Sequence, residues 1–127
     1  MALKVELKPG ERIIIGDTVI TNGDTRTQLI IEGDAPILRE KDILTSETAN
    51  SPARRIYLAV QMMYLEKDVP RFQDTYFSLI GEFLKAVPSS ITYIEAINHQ
   101  ILTGHLYKAL KEAKNLVTYE EDILKHA

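Results

Sequence analysis

Leu3-Lys4-Val5-Glu6-Leu7-Lys8-Pro9-Gly10-Glu11-Arg12-Ile13-Ile14-Ile15-Gly16-Asp17 opens a 127-residue chain, and its reading decides the fold. Apolar residues on alternate positions from Leu3 to Leu7 describe a strand with one buried face and Lys4 and Glu6 on the other. Pro9-Gly10 turns the chain, and Ile13-Ile14-Ile15 is the continuous β-branched run of a strand covered on both sides. Further short runs cover Thr18 to Thr21, Thr27 to Ile31 and Ile37 to Glu40. Gly16-Asp17, Asn22-Gly23 and Gly33-Asp34 separate them, each a dipeptide suited to turns. Of these, Thr18 to Thr21, Asn22-Gly23-Asp24 and the run to Ile31 read as the clearest hairpin. Pro36 closes the last connection and cannot donate to a ladder.

From Ser51 onward the period changes to helical. Ser51-Pro52 is an N-cap followed by proline at the first helical position. Ala53, Ile56, Tyr57, Val60, Met63 and Tyr64 then mark one face, with Leu58, Ala59, Met62 and Leu65 widening it. Asp68 and Pro70 restart the chain, and Phe72, Tyr76, Leu79, Ile80, Phe83, Leu84 and Val87 form the best-defined stripe. Pro88 stops that helix. Ile94, Ile97, Ile101, Leu102, His105, Ala109 and Leu110 predict a long third helix, and Thr118-Tyr119-Glu120-Glu121 a capping box for a short last one. The expected fold is α+β: a small five-stranded antiparallel β module at residues 1–48, then a helical hairpin or bundle of three to four helices at residues 49–127. Five strands in so few residues make too little core to stand alone, so helices or a second chain must complete the sheet.

Composition narrows the function classes. No apolar run approaches the roughly 20 residues that span a bilayer. The first residues lack the pattern of a signal peptide, and a cytoplasmic location is expected. Without cysteine there is no disulfide framework, thiol nucleophile or thiolate metal site. Residues 1–48 carry six basic and nine acidic side chains, and residues 49–127 nine of each, for the net charge of −3. No basic excess marks a general nucleic-acid binder, so any such contact rests on a few placed residues. The histidines His99, His105 and His126 lack the spacing of a helical metal pair. No nucleophile stands beside a base and no glycine-rich phosphate loop is present, so no enzyme, cofactor or metal is expected.

Gly10-Glu11-Arg12-Ile13-Ile14-Ile15-Gly16-Asp17, Ala35-Pro36 and Leu38-Arg39-Glu40 resemble the carbon storage regulator family (CsrA). Those proteins are small all-β homodimers that bind messenger RNA leaders at GGA-containing loops. The resemblance implies an RNA groove in which Arg39-Glu40 on the last strand lies beside basic residues of the partner's first strand. Of that basic pair only Lys8 stands here, after Leu7. A second resemblance covers the whole chain. The opening Leu-Lys-Val-Glu-Leu-Lys-Pro-Gly-Glu, Ile31-Glu32-Gly33-Asp34-Ala35-Pro36-Ile37-Leu38-Arg39-Glu40 and Pro52-Ala53-Arg54-Arg55-Ile56-Tyr57 look like the FlbT family of flagellum-biosynthesis regulators of alphaproteobacteria. This implies repression of flagellin synthesis through the 5′ untranslated region of flagellin messenger RNA, with faster decay of the message. It also implies cooperation with a second small regulator, FlaF, and a homodimer is the expected assembly.

The RNA-contacting residues expected on this basis are Leu38, Arg39, Glu40, Lys4 and Lys8. Arg39 would be the forked donor and Glu40 would orient it; an ordinary solvated charge pair is the plain alternative. Arg54-Arg55 opposes the helix dipole and is either an RNA contact or paired with nearby acids. The rival function is a protein-binding module that acts on the message indirectly, with Phe72, Tyr76, Leu79 and Phe83 facing a partner such as flagellin or FlaF. The first 56 residues contain no aromatic side chain, so a base-stacking platform within them is excluded.

Overall fold

The computed structural model describes residues 2–126 and divides the chain into two compact units, Met1–Ile43 and Leu44–Ala127. The first holds five antiparallel strands: β1 (Ala2–Leu7), β2 (Arg12–Ile15), β3 (Thr18–Thr21), β4 (Thr27–Glu32) and β5 (Ile37–Arg39), followed by a 3₁₀ turn at Glu40–Asp42. The second holds four helices: α1 (Pro52–Glu66), α2 (Val69–Ala86), α3 (Ile91–Leu102) and α4 (Leu106–Lys125), with a 3₁₀ turn at Pro88–Ser90.

The strands stand where the runs and turns place them, but they pair differently. They form two sheets, β1-β4 and β3-β2-β5. The expected hairpin across Asn22-Gly23 does not form, because β3 pairs with β2 and β4 pairs with β1. The hairpin that does form joins β2 to β3 through Gly16-Asp17, with Ile15 opposite Thr18. Gly16 has φ 62°, which suits glycine at the first position of a two-residue loop. Core geometry selects this pairing. Val5 and Leu7 of β1 and Ile13 of β2 are the fully buried cluster, with Ile15, Leu29, Ile31 and Ile37 packed against it. Pairing β4 with β1 turns Leu29 and Ile31 toward that cluster, whereas every residue of β3 is exposed. Of the isoleucine run only Ile13 is fully buried; Ile14 and Ile15 are half-covered, so the run is not enclosed on both sides.

Asn22 acts as a clamp rather than a hairpin residue. Its side-chain amide donates to the carbonyls of Leu7 (3.1 Å), Lys8 (2.9 Å) and Thr25 (2.9 Å). Its main-chain N–H donates to Glu11 O at 2.9 Å. The turn after β1 is thereby tied to the turn after β3.

In the helical unit Ser51 caps α1 as expected, accepting from Arg54 N at 3.2 Å, with Pro52 at the first helical position. Ala53, Ile56, Tyr57, Val60 and Met63 are buried along its inner face. Asp68 caps α2 by accepting from Arg71 N at 3.3 Å. Helix α1 packs against α2 and α4, and α3 packs against α4. The segment before α1 is held by Gln61, whose amide oxygen accepts from Leu44 N and whose amide nitrogen donates to Leu44 O, both at 2.9 Å.

Two helical expectations are corrected. The long third helix is broken at Thr103-Gly104-His105, where Gly104 takes φ 79° and His105 N donates to Gln100 O at 2.8 Å. Glycine in the left-handed region ends a helix at little cost, so a residue that sits inside a helical pattern is its terminator. Leu102 is consequently 86% exposed, and His105 is an exposed residue before α4 rather than part of an apolar stripe. There is also no short last helix. Thr118 to Glu121 lie inside the continuous α4, and Glu120 is buried with its carboxylate at the start of α1.

Tyr76 illustrates how burial sets a pH limit. It is 2% exposed and donates its phenol proton to Asn98 Oδ1 at 2.6 Å. Desolvation by burial pushes its phenol well above the ordinary value. The native state therefore keeps this proton at a pH where the unfolded chain has released it. The associated stability is complete below about pH 10 and is lost as pH rises from there toward the folded value. Alkaline unfolding followed by circular dichroism should show stability falling from about pH 10 upward. An ultraviolet absorbance titration should show one tyrosine that ionises only as the fold is lost; six tyrosines ionising together in the folded state would refute the assignment.

Candidate nucleic-acid interface

The surface of interest starts at the end of β5. Antiparallel pairing with β2 sets Leu38 opposite Ile14 and Arg39 opposite Ile13. Opposed residues of an antiparallel pair share a face, so Arg39 lies on the face of Ile13 and Leu38 on the other face with Ile14. Leu38 is 1% exposed, so its side chain belongs to the core and only its main chain can face a ligand. Arg39 crosses to the other sheet, where its Nη2 donates to the carbonyl of Glu6 at 3.2 Å. That carbonyl lies on β1, between Lys4 and Lys8 in sequence.

Glu40 does not orient Arg39. Its Oε1 instead accepts from Nε of Arg12 at 3.5 Å, with both side chains substantially exposed. Glu6, whose main chain meets Arg39, turns its carboxylate to Arg26 at 3.5 Å. The three arginines Arg12, Arg26 and Arg39 thus interleave with Glu6 and Glu40. Exposed pairs at this separation contribute little to stability and exchange readily for a stronger anion such as phosphate. Lys8 is exposed in the turn, where its N–H donates to Glu11 Oε1 at 2.8 Å; Lys4 is exposed on β1. Arg12 and Arg26 were not among the expected contacts. Arg12 lies 28 residues from Glu40, and no local spacing indicates that pairing.

The other expected positions lie in the helical unit. Tyr76 and Phe83 are buried within it, while Phe72 and Leu79 are half-buried. The exposed aromatic of α2 is Phe77, 51% accessible. Arg54 donates to Asn50 Oδ1 at 3.1 Å and lies 3.7 Å from Glu121, which is the pairing with acids weighed against an RNA contact; Arg55 is exposed. Among the described residues no group of three or more His, Asp or Glu side chains is arranged to hold a metal ion. No helix among them is long and apolar enough to cross a membrane.

Fold and surface together define a two-unit α+β protein with an arginine-glutamate surface on its β unit. Residues 3–124 match the family model described as "Flagellar protein FlbT", and the chain belongs to that family. It is 61% identical over 124 residues to a protein of Rhodopseudomonas palustris named "Probable flagellum biosynthesis repressor protein FlbT", covering 98% of each chain. A protein of Bradyrhizobium diazoefficiens named "Probable flagellum biosynthesis repressor protein FlbT 1" is 59% identical, covering 97% of this chain and 85% of its own. The "Flagellum biosynthesis repressor protein FlbT" of Caulobacter vibrioides is 36% identical over 129 residues, covering 99% of this chain and 92% of its own. No solved structure matches the chain.

Proposed function

We propose that this protein is a non-catalytic cytoplasmic repressor of flagellin synthesis that binds the 5′ untranslated region of flagellin messenger RNA, blocks its translation and promotes its decay. The observation that carries the reading is near full-length similarity to relatives named flagellum biosynthesis repressors, among them the 61% and 36% identical proteins above. The exposed Arg12, Arg39 and Glu40 supply a chemistry suited to it. Guanidinium forks take phosphates or guanine edges; the Glu40 carboxylate holds Arg12 in place until RNA arrives, and the Glu6 carbonyl holds Arg39. Lys4 and Lys8 add charge along β1. In this reading the protein works as a homodimer, because four fully buried side chains are a small core for five strands. FlaF or flagellin would engage the helical unit.

The test is a titration of the purified protein with labelled flagellin leader RNA at two salt concentrations, comparing wild type with Arg39→Ala, Arg12→Ala and Glu40→Ala. Arg39→Ala and Arg12→Ala should each weaken binding by about tenfold and flatten the salt dependence by about 0.7 in the log–log slope. A folded wild-type protein with no salt-sensitive RNA binding would sink the reading. The second reading, a protein-binding module, draws on Phe77, whose ring is half in solvent on α2.

A further inference from the structure

All nine aromatic side chains lie in the helical unit, and the β unit has none with which to stack a base. One of them stands among lysines on the solvent face of α4. Tyr107 is 45% exposed, its ring 5.6 Å from that of Tyr64 on α1 at an interplanar angle of 47°. Lys111 Nζ lies 5.2 Å from the Tyr107 centroid. Lys114 is exposed two turns beyond Tyr107 on the same face, and Lys108, one turn before Lys111, is exposed beside that face.

Most of the charge along α4, though not Glu112 or Lys125, runs opposite to the helix dipole. Its first turn holds no acid; Lys108, Lys111 and Lys114 occupy the N-terminal half with a single acid, Glu112, and Glu120, Glu121 and Asp122 lie in the last two turns together with Lys125. The acids near its C-terminus are accounted for, Glu120 by its bonds to Ser51 and Ala53 and Glu121 by Arg54, whereas Lys108 in the first turn opposes the dipole, so helix stability does not account for the lysine cluster. It does concentrate positive potential over about 10 Å of helix around one accessible ring. Cationic grooves that carry a stacking aromatic are the common device for single-stranded nucleic acid.

Taking the RNA reading above as given, we infer that the Tyr107–Lys114 face of α4 is a second contact surface for single-stranded RNA. Tyr107 stacks a base there, and Lys108 and Lys111 meet the flanking phosphates. The exposed contact of Lys111 with the ring is weak, and an arriving base replaces it while the ammonium moves to phosphate. The β unit then supplies guanidinium contacts, and the helical unit supplies the stacking that the β unit lacks.

The full-length protein and labelled flagellin leader RNA provide the test, with Tyr107→Ala, Tyr107→Phe and the double variant Lys108→Gln/Lys111→Gln. Tyr107→Ala should weaken binding about tenfold and Tyr107→Phe should restore it, since stacking needs the ring and not the hydroxyl. The lysine double variant should reduce the log–log salt slope by about 1.4, the share of two phosphates on a single strand. Thermal melts of each variant separate loss of binding from loss of fold, and Tyr107→Leu, which keeps an apolar side chain against Tyr64, should bind as weakly as Tyr107→Ala. Wild-type binding that persists unchanged in all these variants overturns the α4 surface and leaves the β-unit reading standing. Absence of RNA binding by the folded wild type overturns both.

Discussion

Ile13→Ala is expected to unfold the β unit while the helical unit stays folded. Ile13 is completely buried at the centre of the three-stranded sheet, opposite both Ile20 and Arg39. Removing three carbons from such a site costs the lost transfer free energy plus a cavity term, together about 3–4 kcal/mol. The strands of the β unit supply only Val5, Leu7 and Leu38 as further fully buried side chains, so a loss of that size is a large fraction of what holds it together. Native-state hydrogen exchange is the measurement: amides of β1 to β5 should lose protection while those of α1 and α4 keep theirs. Parallel loss in both units would show one cooperative body instead. RNA affinity in the proposed function should fall with the β unit, because Arg39 is held by its pairing to Ile13.

Glu120→Ala is expected to cost about 3 kcal/mol, more than the loss of an ordinary helix cap. The carboxylate is 7% exposed and lies at the N-terminus of α1. Its Oε1 accepts from Ser51 Oγ at 2.5 Å and its Oε2 from Ala53 N at 2.9 Å. Ser51 Oγ in turn accepts from Arg54 N, so one carboxylate fixes two donors directly and orients a third contact. A negative charge there also meets the positive end of the helix dipole. Truncation removes all of this and leaves Ala53 N–H buried without an acceptor, which carries the full desolvation penalty. Glu120→Gln retains the shape and one acceptor and should lose about half as much. Urea unfolding decides the matter, the midpoint falling with an unchanged slope. A loss below about 1 kcal/mol would mean that Ser51 alone suffices as the cap.

These two sites differ in how far the amino-acid order reveals them. Ile13 stands in a β-branched run between turn dipeptides, and its place in a strand core follows from that local pattern. Glu120 stands in Thr118-Tyr119-Glu120-Glu121, which reads as a capping box for its own helix. It caps a different helix, 67 residues earlier in the chain. In such a box Glu121 would be the capping carboxylate, so the local pattern pointed to the neighbouring residue and to the wrong helix, because a carboxylate accepts from any helix N-terminus brought to it. The arginine surface shows the same division. Arg39 follows from its position at a strand end, but Glu40 meets Arg12 through sheet pairing rather than Arg39 through adjacency.

By itself the sequence determined which segments are strands and which are helices, where most of them begin, and the family. Alternation, helical spacing, Ser51-Pro52 and the glycine turns act over a few residues and leave a local trace. Only the tertiary structure decided that β4 pairs with β1 and β3 with β2, that Gly104 divides two helices, and that Glu120 closes α1. Each of those outcomes compares alternatives with nearly equal local energies. The choice falls to which arrangement buries Val5, Leu7 and Ile13 together and leaves no buried donor without an acceptor.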